Sequence, residues 1–496
     1  MSKKKDSQNK VFLEFIGNNA VEVTGSCIYF KFFDKDLNRD VHGLLECGIS
    51  QSGTILENYN INKELIDKID AKSLDFVIVN HLHGDHASNI VSLVAKTGDE
   101  FRGKILMTKE SAAMALPMWN DSAYINEKDC DWLKKCRNVK AKPLYKMSDV
   151  GKAMDLIERI PTEEMITLTP NIKMRFLKSR HILGSVTTEL YFSDTKSHVH
   201  KLYYTSDIGN EIKDGKYFVY DTQLPTKTAT VSIYESTYGS KSKEIIEDKT
   251  RNQELKILEE KLEEILILKG GSCLFPCFSL QRSPEVLLNI KRIICNNDKL
   301  KNTQIILDGK LTNELIDVYK NVCEGQNKLD IEEILNYENL IRIRSYKETA
   351  SLSSDPLPKI IISSAGFLQT GHSTTWAKTL LPNKKNCLIF TGYAPPASPS
   401  GKIKNKSETG QRTIKMDGSI ILMNADVLCL NSFSSHIQRK SLIKFILSTA
   451  TSQEIVLVHG EQSGKYELKE DLTKILSDKC LNTKITLPKK NQWIYF

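Results

Sequence analysis

His81-Leu82-His83-Gly84-Asp85-His86 is the most informative stretch of this chain. It follows the apolar run Leu74 to Val79, with only Asn80 between them. On an extended backbone alternate residues face the same side, so His81 and His83 present their imidazoles to one point. A turn permitted by Gly84 swings Asp85 and His86 toward a neighbouring point. Imidazole nitrogen mixed with carboxylate oxygen suits zinc in a hydrolytic site. One segment can therefore serve two metals but completes neither, and the remaining ligands must come from elsewhere.

Working outward, short β-rich runs recur at Leu74 to Val79, Ile172 to Leu177, Lys201 to Thr205, Thr230 to Tyr234, Val427 to Leu430 and Ile455 to Val458. Each delivers a His, Asp or Glu within about six residues of its C-terminal end, the pattern expected where strand ends build a site. Between Lys241 and Lys269 the chain turns Glu/Lys-rich, with Leu255, Leu258, Leu262 and Ile265 at helical spacing, which predicts a solvated amphipathic helix. A second α/β segment follows, with strands expected at Ser272 to Phe275, Gln304 to Leu307, Ile360 to Ser363 and Cys387 to Thr391, then a long loop from Gly392 to Gly401.

At 496 residues, with 40% hydrophobic and 26% charged side chains, the chain is a folded globular protein of two or three domains rather than a disordered or fibrous one. No apolar stretch reaches the length of a spanning helix, so no membrane association is expected. The 11 cysteines are odd in number and contain no CxxC pair, which points to reduced thiols and a cytoplasmic location. A net charge of +8 fits a polyanionic partner without requiring one.

The six-residue motif reproduces the HxHxDH signature of the metallo-β-lactamase superfamily, which this chain resembles. His181 in Arg180-His181-Ile182-Leu183-Gly184-Ser185 matches the third motif, and Asp207 in Tyr204-Thr205-Ser206-Asp207 matches the bridging carboxylate of the fourth. More specifically the chain resembles the β-CASP nucleases. Glu235 in Glu235-Ser236-Thr237-Tyr238-Gly239 matches their motif A, His436 in Ser432-Phe433-Ser434-Ser435-His436 their motif B, and His459 in Val458-His459-Gly460-Glu461 their motif C. The resemblance covers nearly the whole chain, and no appended domain is expected after Phe496. It implies an α/β fold, a four-layer αββα metallo-β-lactamase sandwich over 1-239 and 413-496, with an inserted α/β β-CASP cap over 240-412.

It also implies two Zn2+ ions, one on His81, His83 and His181, the other on Asp85, His86 and His459, with Asp207 bridging. His436 would act at the scissile phosphate or leaving oxygen, oriented by Glu235, and Asp85 would stand beside the reacting centre. The implied activity is a zinc-dependent ribonuclease, endo- or 5′-exonucleolytic, acting on single-stranded RNA and leaving 5′-phosphate and 3′-hydroxyl ends; a homo-oligomer is compatible with it. His459 favours RNA, because the DNA-repair branch usually lacks a motif-C histidine. A DNA nuclease, a non-catalytic RNA-binding scaffold and a small-molecule hydrolase are the alternatives.

Departures from the family pattern bear on the site. Glu46 in Leu44-Leu45-Glu46-Cys47-Gly48 stands where the family usually has Asp, and tuned or weakened activity is expected there. The cap's usual Gly-Met-Leu-like loop is Ala365-Gly366-Phe367-Leu368, and the GYxxxGT-like segment is Gly392-Tyr393-Ala394-Pro395-Pro396. In the cap, Ser283 followed by Pro284 reads as a helix N-cap. The preceding loop with Ser279 and Arg282, and the turn Ser363-Ser364-Ala365-Gly366, are candidates to hold substrate phosphates. His198 and His200 read as exposed loop residues, His42 and His372 as structural or surface ones, and the Lys-rich N-terminus as a solvated tail.

Overall fold

A computed structural model describes residues 9–210, 216–226, 228–242, 250–449 and 451–496. The expected N-terminal tail lies outside the described residues. The chain forms two compact units, one of Met1–Glu211, Val219–Ile245 and Ser435–Phe496, the other of Ile212–Phe218 and Ile246–Ser434.

The first unit opens with β1 (Val11–Phe15), β2 (Ile28–Asp34), β3 (Arg39–Leu45), β4 (Phe76–Ile78), β5 (Lys104–Met107) and β6 (Ile157–Arg159). It continues with β7 (Ile166–Thr169), β8 (Ile172–Lys178), β9 (Val186–Ser193), β10 (Val199–Tyr204) and β11 (Thr228–Glu235). The second unit then contributes β12 (Cys273–Pro276), β13 (Gln304–Asp308), β14 (Leu340–Ile343), β15 (Lys359–Ser363), β16 (Cys387–Phe390), β17 (Thr413–Met416), β18 (Ser419–Leu422) and β19 (Asp426–Cys429). Back in the first unit come β20 (Thr451–Val458), β21 (Lys484–Thr486) and β22 (Gln492–Tyr495).

Two seven-stranded mixed sheets result, ordered β22-β1-β2-β3-β4-β5-β6 and β21-β20-β11-β10-β9-β8-β7. Along β2, Ile28, Phe30 and Phe32 are buried and alternate with partly exposed Tyr29 and Lys31, the two-residue period of a strand with one core face. Those rings meet Phe192 of β9 across the sandwich, with centroids 5.9 Å from Phe30 and 5.3 Å from Phe32. On the outer face of the second sheet, Tyr203, Tyr234, Ile455 and Leu457 share a core with Leu442, Phe445 and Ile446 of helix Arg439–Thr449 and Leu468, Leu472 and Leu476 of helix Gln462–Asp478. In the first sheet Leu44, Val77 and Ile105 are as buried as their inward-facing neighbours Leu45, Ile78 and Leu106. Both faces are therefore covered, the outer one by helices such as Ile55–Lys68 and Ile90–Thr97 that cross over between the parallel strands β3, β4 and β5. This is the αββα sandwich.

In the second unit, β14-β13-β15-β12-β16-β19 form a wholly parallel six-stranded sheet. Leu274, Ile306, Ile361 and Leu388 from its centre pack with Trp376 and Leu380 of helix His372–Leu380. The stretch 413–434, expected to return to the sandwich, belongs here instead: β17 and β18 form a hairpin and β19 pairs with β16. The apolar run Val427 to Leu430 is thus an edge strand of the cap sheet, and the chain leaves for the sandwich only at Ser435. Of the described residues, 216–218 also join this unit, which nothing in their composition announces.

Local differences are small and have local causes. The amphipathic helix is described from Arg251 to Glu263 and ends in a π-turn at Glu264–Leu268; residues 243–249 of the predicted span lie outside the described residues. Ser283 lies inside helix Arg282–Asn296, whose N-cap is Gln281, and its hydroxyl donates to the Phe278 carbonyl at 2.8 Å. The loop after Gly392 gives way to a short helix at Pro399–Lys404, capped by Ser398. His200 sits within β10 rather than in a loop, whereas His198 is exposed.

Because Phe192 is buried between both sheets, Phe192→Ala should lower the unfolding free energy by about 3–5 kcal/mol. Urea denaturation checks this, and a loss below about 1 kcal/mol would mean that the sheets do not share this core.

Candidate metal centre

The end of β4 is pinned to the opposite sheet before the histidines begin: Asn80 Nδ2 donates to the Val186 carbonyl at 2.8 Å and to Thr188 Oγ1 at 3.0 Å. His81 and His83 follow on extended chain, and Gly84–Ala87 form one helical turn that carries Asp85 and His86. The Gly84 turn is this helix start. The tight spot lies instead at Gly48, where a Cβ would stand 1.7 Å from the Asp85 carbonyl oxygen. There the loop after β3 is laced to the helical turn by Cys47 N–H to His86 O at 2.9 Å and Ile49 N–H to Gly84 O at 3.0 Å.

Glu46, Arg180, Ser206 and His459, each just past the end of β3, β8, β10 or β20, have φ of 63°, 58°, 50° and 53°. Left-handed backbone at non-glycine residues costs free energy and gathers at functional sites. Here it turns four strand ends toward one place.

At that place His81 Nε2 lies 3.1 Å from His83 Nδ1, which lies 3.2 Å from His181 Nε2. Asp207 Oδ2 is 3.6 Å from His81 Nε2, 3.5 Å from His181 Nε2 and 3.3 Å from His86 Nε2. On the other side His86 Nε2 approaches His459 Nε2 at 3.2 Å, with Asp85 Oδ2 at 3.7 and 3.5 Å from them. His81, His83, His181 and Asp207 form one group whose ligand atoms all lie within 4.8 Å of one another, and Asp85, His86 and His459 form another.

The donor set fits zinc. Ligands of a tetrahedral zinc at 2.0–2.1 Å sit about 3.3 Å apart, close to the nitrogen–nitrogen spacings seen here. The outer nitrogens are fixed: His181 Nδ1 faces the Ser435 carbonyl at 3.2 Å, and His86 Nδ1 faces Glu46 Oε2 at 2.7 Å. Each such bond directs the other nitrogen's lone pair inward. Asp207 Oδ1 is buried without a hydrogen-bond donor.

Glu46 also accepts from Tyr204 OH at 2.5 Å and from Ser206 Oγ at 2.6 Å. Its extra methylene is therefore accommodated, and its carboxylate reaches His86. Sequence reasoning passed over Tyr204 and Ser206, and also Thr237, whose Oγ1 lies 3.0 Å from His459 Nδ1. All three stand inside or beside the quoted motifs, and hydroxyls at strand ends were the available signal.

Beside the metal groups, His436 Nδ1 lies 3.2 and 3.0 Å from the two carboxylate oxygens of Glu235, whose Oε1 also accepts from Ile208 N–H at 2.8 Å. His436 Nε2 is 3.9 Å from Asp207 Oδ2. Burial depresses the His81 imidazole well below its ordinary range and pushes His83 down to about 4, so both rings are neutral donors of a lone pair. For His436 burial pulls the same way, but Glu235 and then Asp207 outweigh it and raise its pKa. Asp207 is pushed up by burial, yet His459, His86 and His436 hold it well below the carboxylate range.

The cap candidates gather separately, at the C-terminal ends of neighbouring strands β12 and β15, where open parallel sheets bind ligands. The Cys277 N–H donates to Ser363 O at 2.9 Å, Thr312 Oγ1 donates to Ser279 Oγ at 2.9 Å, and Ser400 Oγ donates to Gly366 O at 2.8 Å. Ser364 O accepts from Ser373 N–H at 2.8 Å, and Arg282 borders Gly392. His372 is structural, with Nδ1 2.7 Å from Thr349 Oγ1 and its ring stacked on Tyr346 at 3.9 Å. His42 Nδ1 is likewise bonded, 2.5 Å from Tyr29 OH.

Comparison with known proteins bears on this arrangement. Residues 284–403 match the Beta-Casp domain, and residues 420–482 match the Zn-dependent metallo-hydrolase RNA specificity domain. An RNase J-like protein of Methanocaldococcus jannaschii is 29% identical over 422 residues, covering 83% of this chain and 88% of that relative. Endoribonuclease ysh1 of Schizosaccharomyces pombe is 27% identical over 484 residues; they make up 96% of this chain but only 58% of that longer protein. A solved structure of a protein of unknown function from Enterococcus faecalis shares the fold, with a TM-score of 0.51, 13% identity and coverage of 98% of this chain and all of that one. With the sandwich, the inserted parallel sheet and the histidine cluster in place, the chain belongs to the β-CASP family of the metallo-β-lactamase superfamily.

Proposed function

We propose that the protein is a zinc-dependent ribonuclease that hydrolyses RNA phosphodiester bonds and leaves 5′-phosphate and 3′-hydroxyl ends. The observation that carries this reading is the convergence of His81, His83, His181, Asp207, Asp85, His86 and His459. Glu235 and His436 also group with Asp207 closely enough to hold a metal, but the Glu235 carboxylate is engaged by His436 Nδ1 and Ile208 N–H, and we assign this pair to acid–base work rather than to zinc. The RNase J-like and endoribonuclease relatives and the match to an RNA specificity domain support RNA as substrate. Glu46 removes the main reason to favour a non-catalytic scaffold, since its carboxylate still holds His86. Eleven free cysteines are in keeping with a reducing, cytoplasmic setting.

His81, His83 and His181 would hold one zinc, and Asp85, His86 and His459 the second, with Asp207 shared. Bound there, the pair would supply Lewis acidity toward phosphate oxygens and lower the pKa of water. The chain's own work is then positional and acid–base. Glu235 fixes Nδ1 of His436, leaving Nε2 turned toward Asp207 and the centre. A ring whose proton affinity is raised by two carboxylates suits protonating a departing 3′-oxygen. The cap residues Ser279, Arg282, Ser363, Ser364 and Gly366 are proposed to steady flanking phosphates through backbone and guanidinium donors.

The purified protein should carry close to two zinc ions, and His83→Ala should lose zinc and activity together; full occupancy and full activity in that variant, by metal analysis and RNA cleavage, would sink the ligand assignment. His436→Ala should instead keep its zinc while turnover falls by about 10²–10⁴. Loss of zinc in parallel would move His436 among the ligands.

Water, not the 2′-hydroxyl, is the nucleophile here, so the downstream product must carry a 5′-phosphate and the upstream one a free 3′-hydroxyl. One 2′-deoxy substitution at the cleaved linkage should slow the reaction at most, without changing those ends. A 2′,3′-cyclic phosphate as primary product, seen by mass spectrometry, would overturn the mechanism.

A further inference from the structure

Away from the metal centre, the long helix Lys109–Arg137 and the segment after it carry an unusual surface. Between Asp131 and Asp149 the chain holds Lys134, Lys135, Arg137, Lys140, Lys142 and Lys146 and no acidic residue. All of these cations are exposed. Among the described residues none is in an ion pair with a carboxylate, although many other lysines and arginines of this chain are so paired. Neutralising the helix dipole explains cations in the last turn, Lys134, Lys135 and Arg137, but not those beyond the helix end.

The cations lie beside exposed aromatic rings. Tyr124, Lys128 and Trp132 recur at four-residue spacing and so share one helix face. Lys128 Nζ stands 5.4 Å from the Tyr124 ring centroid, and the Arg137 guanidinium 5.7 Å from that of Trp132. Tyr124 and Trp132 are 50% and 39% exposed, so part of each ring is open to a ligand; other rings of this chain are as exposed, and what sets these two apart is the run of cations beside them. After Asn138 turns left-handed at the helix end, the chain doubles back: the buried Tyr145 accepts through its carbonyl from Asn126 Nδ2 at 3.2 Å, and Lys142 N–H donates to Tyr59 OH at 3.2 Å. The returning segment thus lays Lys140, Lys142 and Lys146 back along the helix, over about 17 Å at 1.5 Å per residue from Arg137 to Asn126.

We propose that this stripe is a second binding site for single-stranded RNA, with phosphates on the cations and unpaired bases on Trp132 and Tyr124. Aromatic rings alternating with unpaired cations are the means by which proteins hold single strands without reading sequence. An acidic protein would use the charge but has less use for the rings; a lipid surface would use both, and the vesicle arm of the test below separates it from RNA. The choice of RNA among polyanions rests on the proposed ribonuclease function; the site itself does not depend on cleavage.

Binding of a fluorescein-labelled oligouridylate of about 20 nucleotides is measured by anisotropy across a salt series, in a His436→Ala background so that the probe survives. Combined Lys134→Gln, Lys135→Gln, Lys140→Gln and Lys142→Gln should weaken binding by roughly tenfold or more and reduce the log–log salt slope by about 0.7 for each cation removed. Trp132→Ala should weaken binding by roughly 5- to 150-fold and Trp132→Phe much less, which separates stacking from charge. All four lysines are exposed, so thermal unfolding should not move, and single variants carry the test if the combined one misfolds. Unchanged affinity and slope would overturn the proposal, as would loss of binding to phosphatidylserine vesicles with RNA binding intact. Failure of the parent protein, with His436 intact, to cleave an RNA that it binds would instead fault the nuclease function alone.

Discussion

Everything around the centre serves one awkward requirement: buried imidazole lone pairs and carboxylate oxygens must be held pointing at one another. Such groups repel or strand one another unless a cation completes them, and unmet buried polar atoms each cost on the order of a few kcal/mol. The cluster therefore cannot be left to loop flexibility. Glu46, Ser206, Thr237 and the Ser435 carbonyl meet the outward-facing atoms of the histidines, so that the inward ones have no competing partner from those directions. The left-handed residues at the strand ends are part of the same arrangement. Two large sheets sharing a core of close-packed rings supply the stability against which that local strain is set.

Much of this was legible in the sequence because the informative signals are short-range. Histidines two apart on extended chain, and a His or Asp just after an apolar run, report their geometry through spacing alone. Of the quoted motif residues of the sandwich, those from Glu46 to Glu235 and His459 lie at or shortly past the end of a strand or within the helical turn beside it, whereas His436 sits in the loop before helix Arg439–Thr449. The cap boundary was not legible for the opposite reason. Residues 413–434 read as strands under either assignment, and only pairing with β16, a long-range choice, puts β19 in the cap sheet. Likewise Ser283 looked like a cap by residue type, while the helix begins two residues earlier than that cap implies and uses Gln281, whose φ of 63° no propensity foretells.

Glu46 shows how a departure from pattern should be weighed. A glutamate for an aspartate changes reach, not chemistry, and what matters is whether the backbone can recede by the added length. Here Glu46 adopts φ of 63° and its carboxylate still spans His86, Tyr204 and Ser206. The position works as a hub for hydroxyl and imidazole donors, and that set of contacts, more than the residue's identity, keeps His86 in one orientation.

The parallel pairing of β11 with β20, in which Glu235 faces Val458, has a bearing on the birth of the molecule. The entire cap sheet is made between those two strands. On the ribosome, the first histidines emerge long before His459 does, so the donor cluster stays incomplete through most of translation. The cap sheet, whose strands β12 to β16 and β19 follow one another within one stretch of chain, has what it needs to form earlier. The centre is thus completed only when β20 is made, so its assembly is tied to the last part of the chain to pair.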